Sequence, residues 1–181
     1  MLAGALLAAC AVTISPTTVV AQQQVSAKEY TLKAAFLYNF MRYVTWPEEA
    51  FESASSPFVV GVVGEPPAAL RKSLGYYVRK KNVAGRSIKV VYLKDHIGAA
   101  DCHMVFVRNV LEDDLVAKVA ARCANGPVLV VGEADGFLKQ TTGICVVPAG
   151  RTLEVRLHLT GVAARGFEID ARFLRIARVV P

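Results

Sequence analysis

Histidine is scarce in this chain, with three in 181 residues, and tryptophan occurs once, at Trp46. No Gly-x-Ser-x-Gly, His-Glu-x-x-His or Walker lysine motif is present. Their absence excludes the hydrolase, zinc-protease and P-loop chemistries that announce themselves by those spacings. The 4 cysteines form no Cys-x-x-Cys, so a zinc ribbon or thioredoxin-like pair is unsupported. There is no internal repeat, no low-complexity stretch and no Gly/Ser linker, which argues against a solenoid and against two domains. Apolar residues, by contrast, are abundant. They make up 54% of the chain against 20% charged, far from the composition of a disordered segment.

Charge is also missing from the start. The first charged residue is Lys28, so the formal net charge of +6 belongs wholly to residues 28–181. Residues 1–21 contain fifteen apolar residues, then Thr13–Thr18 interrupts the run and Ala21 precedes Gln22-Gln23-Gln24. A short apolar region, a polar break and a small residue describe a secretory signal peptide. We expect residues 1–21 to be removed and one domain to span 26–181. Two alternatives compete. An inner-membrane anchor would need a longer apolar span than this one. Leu7-Ala8-Ala9-Cys10 looks like a lipobox, which would attach lipid to Cys10, but the apolar run continues past that cysteine.

After cleavage Cys102, Cys123 and Cys145 remain, an odd number that cannot pair completely. Cys102 precedes an expected strand and Cys123 ends the helix after it, which sets both at one edge of a sheet. A Cys102–Cys123 disulfide would close a loop of about twenty residues and contribute roughly 3 kcal/mol. Buried free thiols are the equally ready alternative.

Ser26-Ala27-Lys28-Glu29 is a capping-box pattern, expected to start a helix that ends at Trp46-Pro47. Continuous apolar runs at 58–63, 104–107, 128–131 and 144–147 read as strands buried on both faces. A weaker strand is expected at 88–93, and the alternating residues 153–159 read as a strand with one wet face. Helices are expected at 68–77, 111–123 and from Asp170 through Val180. Strands alternating with helices predict an α/β single-domain sandwich, its mostly parallel sheet of about six strands flanked by helices.

Candidate chemistry lies in the strand-end loops. Gly61-Val62-Val63-Gly64 stands where a dinucleotide fold puts its phosphate loop, but the full glycine fingerprint is absent and Glu65-Pro66-Pro67 removes amide donors. Gly64, Glu133 and Asp135 are therefore expected at most to bind a small molecule at the carboxyl edge of the sheet. No metal or cofactor is expected; His103 beside Cys102 reads as a hydrogen-bonded strand-start histidine. Eight Lys/Arg and no Asp/Glu occupy residues 71–94, and Arg172, Arg175 and Arg178 are expected to line one helix face. Export argues against nucleic acid, so these suggest an acidic partner or an ordinary solvated face. Arg156, His158 and Arg172 are the candidate partner contacts.

Some of these residues carry a resemblance. Lys33-Ala34-Ala35-Phe36-Leu37-Tyr38-Asn39-Phe40, then Val44-Thr45-Trp46-Pro47, resembles the opening of the YfiR family. Residues 58–64, 102–107, 127–131, 153–159 and 173–177 continue the match in order. The resemblance implies a periplasmic, non-catalytic repressor with a mainly parallel α/β fold. It would bind the periplasmic part of an inner-membrane diguanylate cyclase (YfiN-like), and an outer-membrane lipoprotein of the OmpA type (YfiB-like) would relieve the repression. Cyclic di-GMP, biofilm and exopolysaccharide would be the output, and a homodimer is implied as well. The alternative is a periplasmic small-molecule sensor using the strand-end loops. The chain departs from the family with Thr142-Gly143 where two glycines are frequent, with His158 where asparagine is common, and with three mature cysteines instead of four.

Overall fold

The computed structural model describes residues 16–108, 113–134, 136–150 and 152–181. Residues 1–15, which hold Cys10 and most of the expected export segment, lie outside the described residues, as does Asp135. The first helix, α1, spans Pro16–Tyr43. It does not begin at the Ser26 capping box, which lies inside it. Pro16 is a natural first helical residue, because its missing N–H would have had no partner there. Tyr30, Ala34, Leu37, Phe40 and Met41 recur at helical spacing and are buried.

A two-residue strand β1 (Val44–Thr45) comes next, then β2 (Phe58–Val63), α2 (Ala68–Lys80), β3 (Asn82–Val83) and β4 (Arg86–Leu93). Ala84 and Gly85 join β3 to β4 with φ of 49° and 79°, the two positive values of a type I′ hairpin. After these come β5 (Met104–Val107), α3 (Asp113–Cys123), β6 (Leu129–Gly132), α4 (Phe137–Gln140), β7 (Ile144–Ala149) and β8 (Thr152–His158). The chain ends through α5 (Leu159–Ala163), β9 (Glu168–Ile169), α6 (Ala171–Leu174) and β10 (Ala177–Val180).

The main sheet has eight strands in the order β10-β8-β7-β6-β5-β2-β4-β3, and β1 pairs with β9 in a separate ribbon. Only β3–β4 and β7–β8 are antiparallel pairs in the main sheet. The fold is therefore a mostly parallel α/β sandwich, as expected, with eight strands in place of about six.

The last element is the main correction. Asp170 does cap a helix, accepting from the Arg172 amide, but the helix stops at Leu174. Ala177–Val180 then runs parallel to β8 as an edge strand. Branched residues favour that pairing, and it satisfies backbone groups that β8 would otherwise present to solvent. Arg172 and Arg178 thus sit on different elements, and no arginine stripe forms.

Each face of the sheet has its own apolar layer. Val60, Val62, Phe106 and Val131 pack under Leu37 and Phe40 of α1 and Leu70 and Leu74 of α2. Val105, Val107, Val130 and Val147 pack against Val116 and Val119 of α3 and Phe137 of α4. Each such side chain contributes roughly 1.5–3 kcal/mol on burial. Gly143 lies just before β7 because the backbones nearly touch there: a Cβ would stand 2.1 Å from the Val130 carbonyl oxygen.

Candidate functional site

Sheet order fixes where a ligand crevice should be. From β2 the chain goes one way, through α2 to β4, and then crosses back to β5 on the other side of β2. The carboxyl ends of β2 and β5 therefore diverge, and that is where sheets of this kind bind ligands. Gly64 and Glu65 follow β2, Arg108 follows β5 and Glu133 follows β6.

Here the crevice is filled by the chain itself. Glu133 is 2% exposed and Lys33, reaching down from α1, is also 2% exposed. Lys33 Nζ stands 2.7 Å from Glu133 Oε2 and 2.5 Å from Glu29 Oε1. The Tyr30 hydroxyl donates to Glu133 Oε1 at 3.2 Å. Arg108 Nη2 donates to the Tyr30 oxygen at 3.3 Å, and its Nη1 donates to the Glu65 carbonyl. The ends of β2, β5 and β6 are thereby tied to α1. Burial works against the Lys33 charge, but its hydrogen bonds to Glu133 and Glu29 outweigh that and hold its pKa above the ordinary value. Of the expected ligand residues, Gly64 and Glu133 reach this edge. Lys33, Tyr30 and Arg108 join them without having been expected. The readable sign was a lysine on the apolar stripe of α1, since buried lysine demands a partner.

The expected partner contacts do not converge. Val155 and Leu157 pack into the layer that contains Phe173 of α6. Alternation then sends Arg156 and His158 to the other face of β8. Arg156 Nε lies 2.5 Å from Glu154 Oε1, and His158 Nδ1 accepts from the Gly161 amide to cap α5. Arg172 is bound bidentately by Asp170 and stands over the Tyr43 ring, 5.2 Å from its centroid.

His103 is a structural histidine, as expected. Its Nδ1 accepts from the Val59 amide at 2.9 Å, its ring stacks on Phe51, and its carbonyl accepts from Trp46 Nε1. Burial lowers its pKa, against a hydrogen bond to the Ala50 carbonyl. Cys102 and Cys123 share one buried apolar layer and stand as thiols. Burial pushes Cys102 up to about 12 and Cys123 up to about 11. The Cys145 thiol donates to the Ala134 carbonyl. Among the described residues no group of His, Cys, Asp and Glu can hold a metal ion, and no helix is long and apolar enough to cross a membrane.

Residues 30–178 match the family described as YfiR/HmsC-like. The chain belongs to that family. Membership in the YfiR/HmsC-like family supports a periplasmic, non-catalytic regulator of cyclic di-GMP signalling. No curated protein matches the chain. Among solved structures, the methionine aminotransferase YbdL of Escherichia coli is similar at 7% identity with a TM-score of 0.35, over 62% of this chain and 35% of that one. The chain thus spans about a third of that structure's length, and so slight a likeness carries no argument about activity.

Proposed function

We propose that this protein is exported by cleavage near Ala21 and, in the periplasm, binds the periplasmic region of an inner-membrane YfiN-like diguanylate cyclase and holds its cytoplasmic output low. A YfiB-like lipoprotein of the outer membrane would relieve that repression. The observation that carries the reading is the family match across residues 30–178. The filled crevice supports it: the place where a parallel sheet would take a substrate is occupied by Lys33, Tyr30 and Glu133. Arg156, His158 and Arg172 are proposed contacts for that partner. Arg172, with its side chain 63% exposed, is the one that can be changed with least harm to the fold.

The proposal includes a Cys102–Cys123 disulfide, which an oxidising periplasm permits. Both residues already lie in one layer of the core. Thiol titration of the denatured, unreduced mature chain would then find one thiol, and three would reject the bridge.

The function is tested in two ways. Pull-down with the periplasmic fragment of a cyclase encoded beside this gene should recover the protein. Deleting the gene should raise cyclic di-GMP. Failure of every such fragment to bind, with unchanged cyclic di-GMP on deletion, rejects the reading.

A further inference from the structure

The positive charge of this chain is gathered at one end of its sheet. Residues 71–94, with eight Lys/Arg and no Asp/Glu, build α2, β3 and β4. The strand order makes β3 the outermost strand there. Lys72, Arg79, Lys80, Lys81, Lys89 and Lys94 are all exposed. Among the described residues none of these six makes an ion pair.

A cleft of about 1040 Å³ opens beside this edge, between the end of α1, the segment before β2 and the β3–β4 hairpin. Its apolar lining includes Trp46, Phe58 and Val83, all part of the core. Arg42, Lys81 and Arg86 also line it, against one carboxylate, Glu48. Arg86 is already committed to the wall: its Nη1 donates to the Ser53 and Ser56 carbonyls, and its guanidinium lies 3.8 Å from the Phe51 ring centroid. Arg42 stands over the Tyr38 and Tyr43 rings, 5.8 Å and 5.5 Å from their centroids, with its side chain exposed, and Lys81 is exposed too, so these two charges can meet a ligand. β3 supplies Asn82 and Val83 to the cleft, and the Asn82 carbonyl accepts from the Tyr38 hydroxyl at 3.4 Å.

An apolar floor and a basic rim together suit one kind of occupant. Apolar side chains can enter the floor, and carboxylates can meet Arg42 and Lys81. A small anion would need the rim alone and would leave Arg79 and Lys80 outside unused. A lipid surface is flat and would not fill a concave site. We propose that this cleft is the docking site for an acidic segment of a protein partner that also carries apolar side chains. The inference rests on the regulatory reading above in one respect, that the segment belongs to the cyclase's periplasmic region.

Two variants test it on the full mature chain. Thr45→Trp fills the cleft from an exposed lining position, and Lys81→Glu reverses an exposed rim charge. Circular dichroism establishes that each is folded. Binding is measured to the periplasmic fragment of the neighbouring cyclase, to a synthetic peptide of alternating Glu and Phe, to its Gln-for-Glu counterpart, and to phosphatidylglycerol vesicles. The expected result is that fragment and acidic peptide bind, that added salt weakens both, and that each variant weakens both by about tenfold or more. If the fragment binds parent and variants alike, the cleft is overturned while the regulatory reading stands. If the acidic peptide binds in a cleft-dependent way and the fragment does not, the cleft stands and the assignment of its segment to that cyclase falls. Equal binding of the Gln peptide, binding of vesicles alone, or no binding at all overturns the cleft.

Discussion

Lys33 and Glu133 lie 100 positions apart and meet at 2.7 Å with both side chains almost wholly withdrawn from water. A buried ion pair is weak evidence of stability, because desolvation offsets most of the attraction. Breaking it is another matter. Lys33→Met leaves the buried Glu133 carboxylate without its close lysine, with the Tyr30 hydroxyl at 3.2 Å and Arg108 Nε at 3.9 Å, and should cost about 3 kcal/mol or more in urea unfolding. The double variant Lys33→Met/Glu133→Leu should recover most of that loss. A double variant as unstable as the single would show that the two do not act as a unit.

His103 gives the fold a sensitivity to acid. Its pKa is lowered in the folded state, so the folded protein resists a proton that the unfolded chain accepts near its ordinary 6.5. The contribution is complete above pH 6.5 and is lost as pH falls below it. The urea midpoint should therefore drop between pH 7 and pH 5. His103→Gln can still accept from Val59 and donate to Ala50, and should show a smaller drop over the same range. Equal drops in both proteins would assign the acid sensitivity elsewhere.

The parts of this fold that were legible are those whose signal is local. Phe58–Val63 and Met104–Val107 are unbroken apolar runs, and burial on both faces of a parallel sheet produces such runs directly. Asp170 was readable as a cap because its partner amide is two residues away. β10 was not readable, since its pairing partner β8 lies some twenty residues back and only tertiary context turns Ala177–Val180 from helix to strand. The candidate site divides the same way. Glu133 was placed correctly at a strand end, but Lys33 and Tyr30 come from a helix whose distance in sequence conceals them. Arg165 is a further case: its Nη2 donates to the carbonyls of Cys123, Gly126 and Val128, closing the end of α3 from forty residues away.

The two raised thiols predict slow chemistry. In reduced protein Cys102 and Cys123 are almost wholly protonated at pH 8, with pKa about 12 and about 11, and the thiolate is the form that reacts. Alkylation should be slow in native protein and rapid after unfolding. The same values set the sign for stability. The unfolded thiols ionise near 9 and the folded ones do not, so stability is full below pH 9 and falls as pH rises toward 11. A Cys123→Ala variant in reducing buffer should lose less over that interval. A rate of native labelling close to the unfolded rate would overturn the burial of both sulfurs.

Ala84 holds a left-handed backbone, φ 49°, at an exposed hairpin position where its Cβ gains nothing from packing. That conformation costs an ordinary L-residue roughly 1–2 kcal/mol, and asparagine tolerates it best among residues with a side chain. Ala84→Asn should therefore stabilise the protein by up to about 1 kcal/mol, or a Tm rise of about 2–4 °C for a domain of this size. Ala84→Gly should gain less, because glycine relieves the strain but adds freedom to the unfolded chain. Ala84→Val, branched at Cβ, should destabilise. The order Asn above Gly above Ala above Val, read from thermal unfolding, is the expected outcome. A valine variant as stable as the parent would show that the β3–β4 turn does not hold residue 84 left-handed.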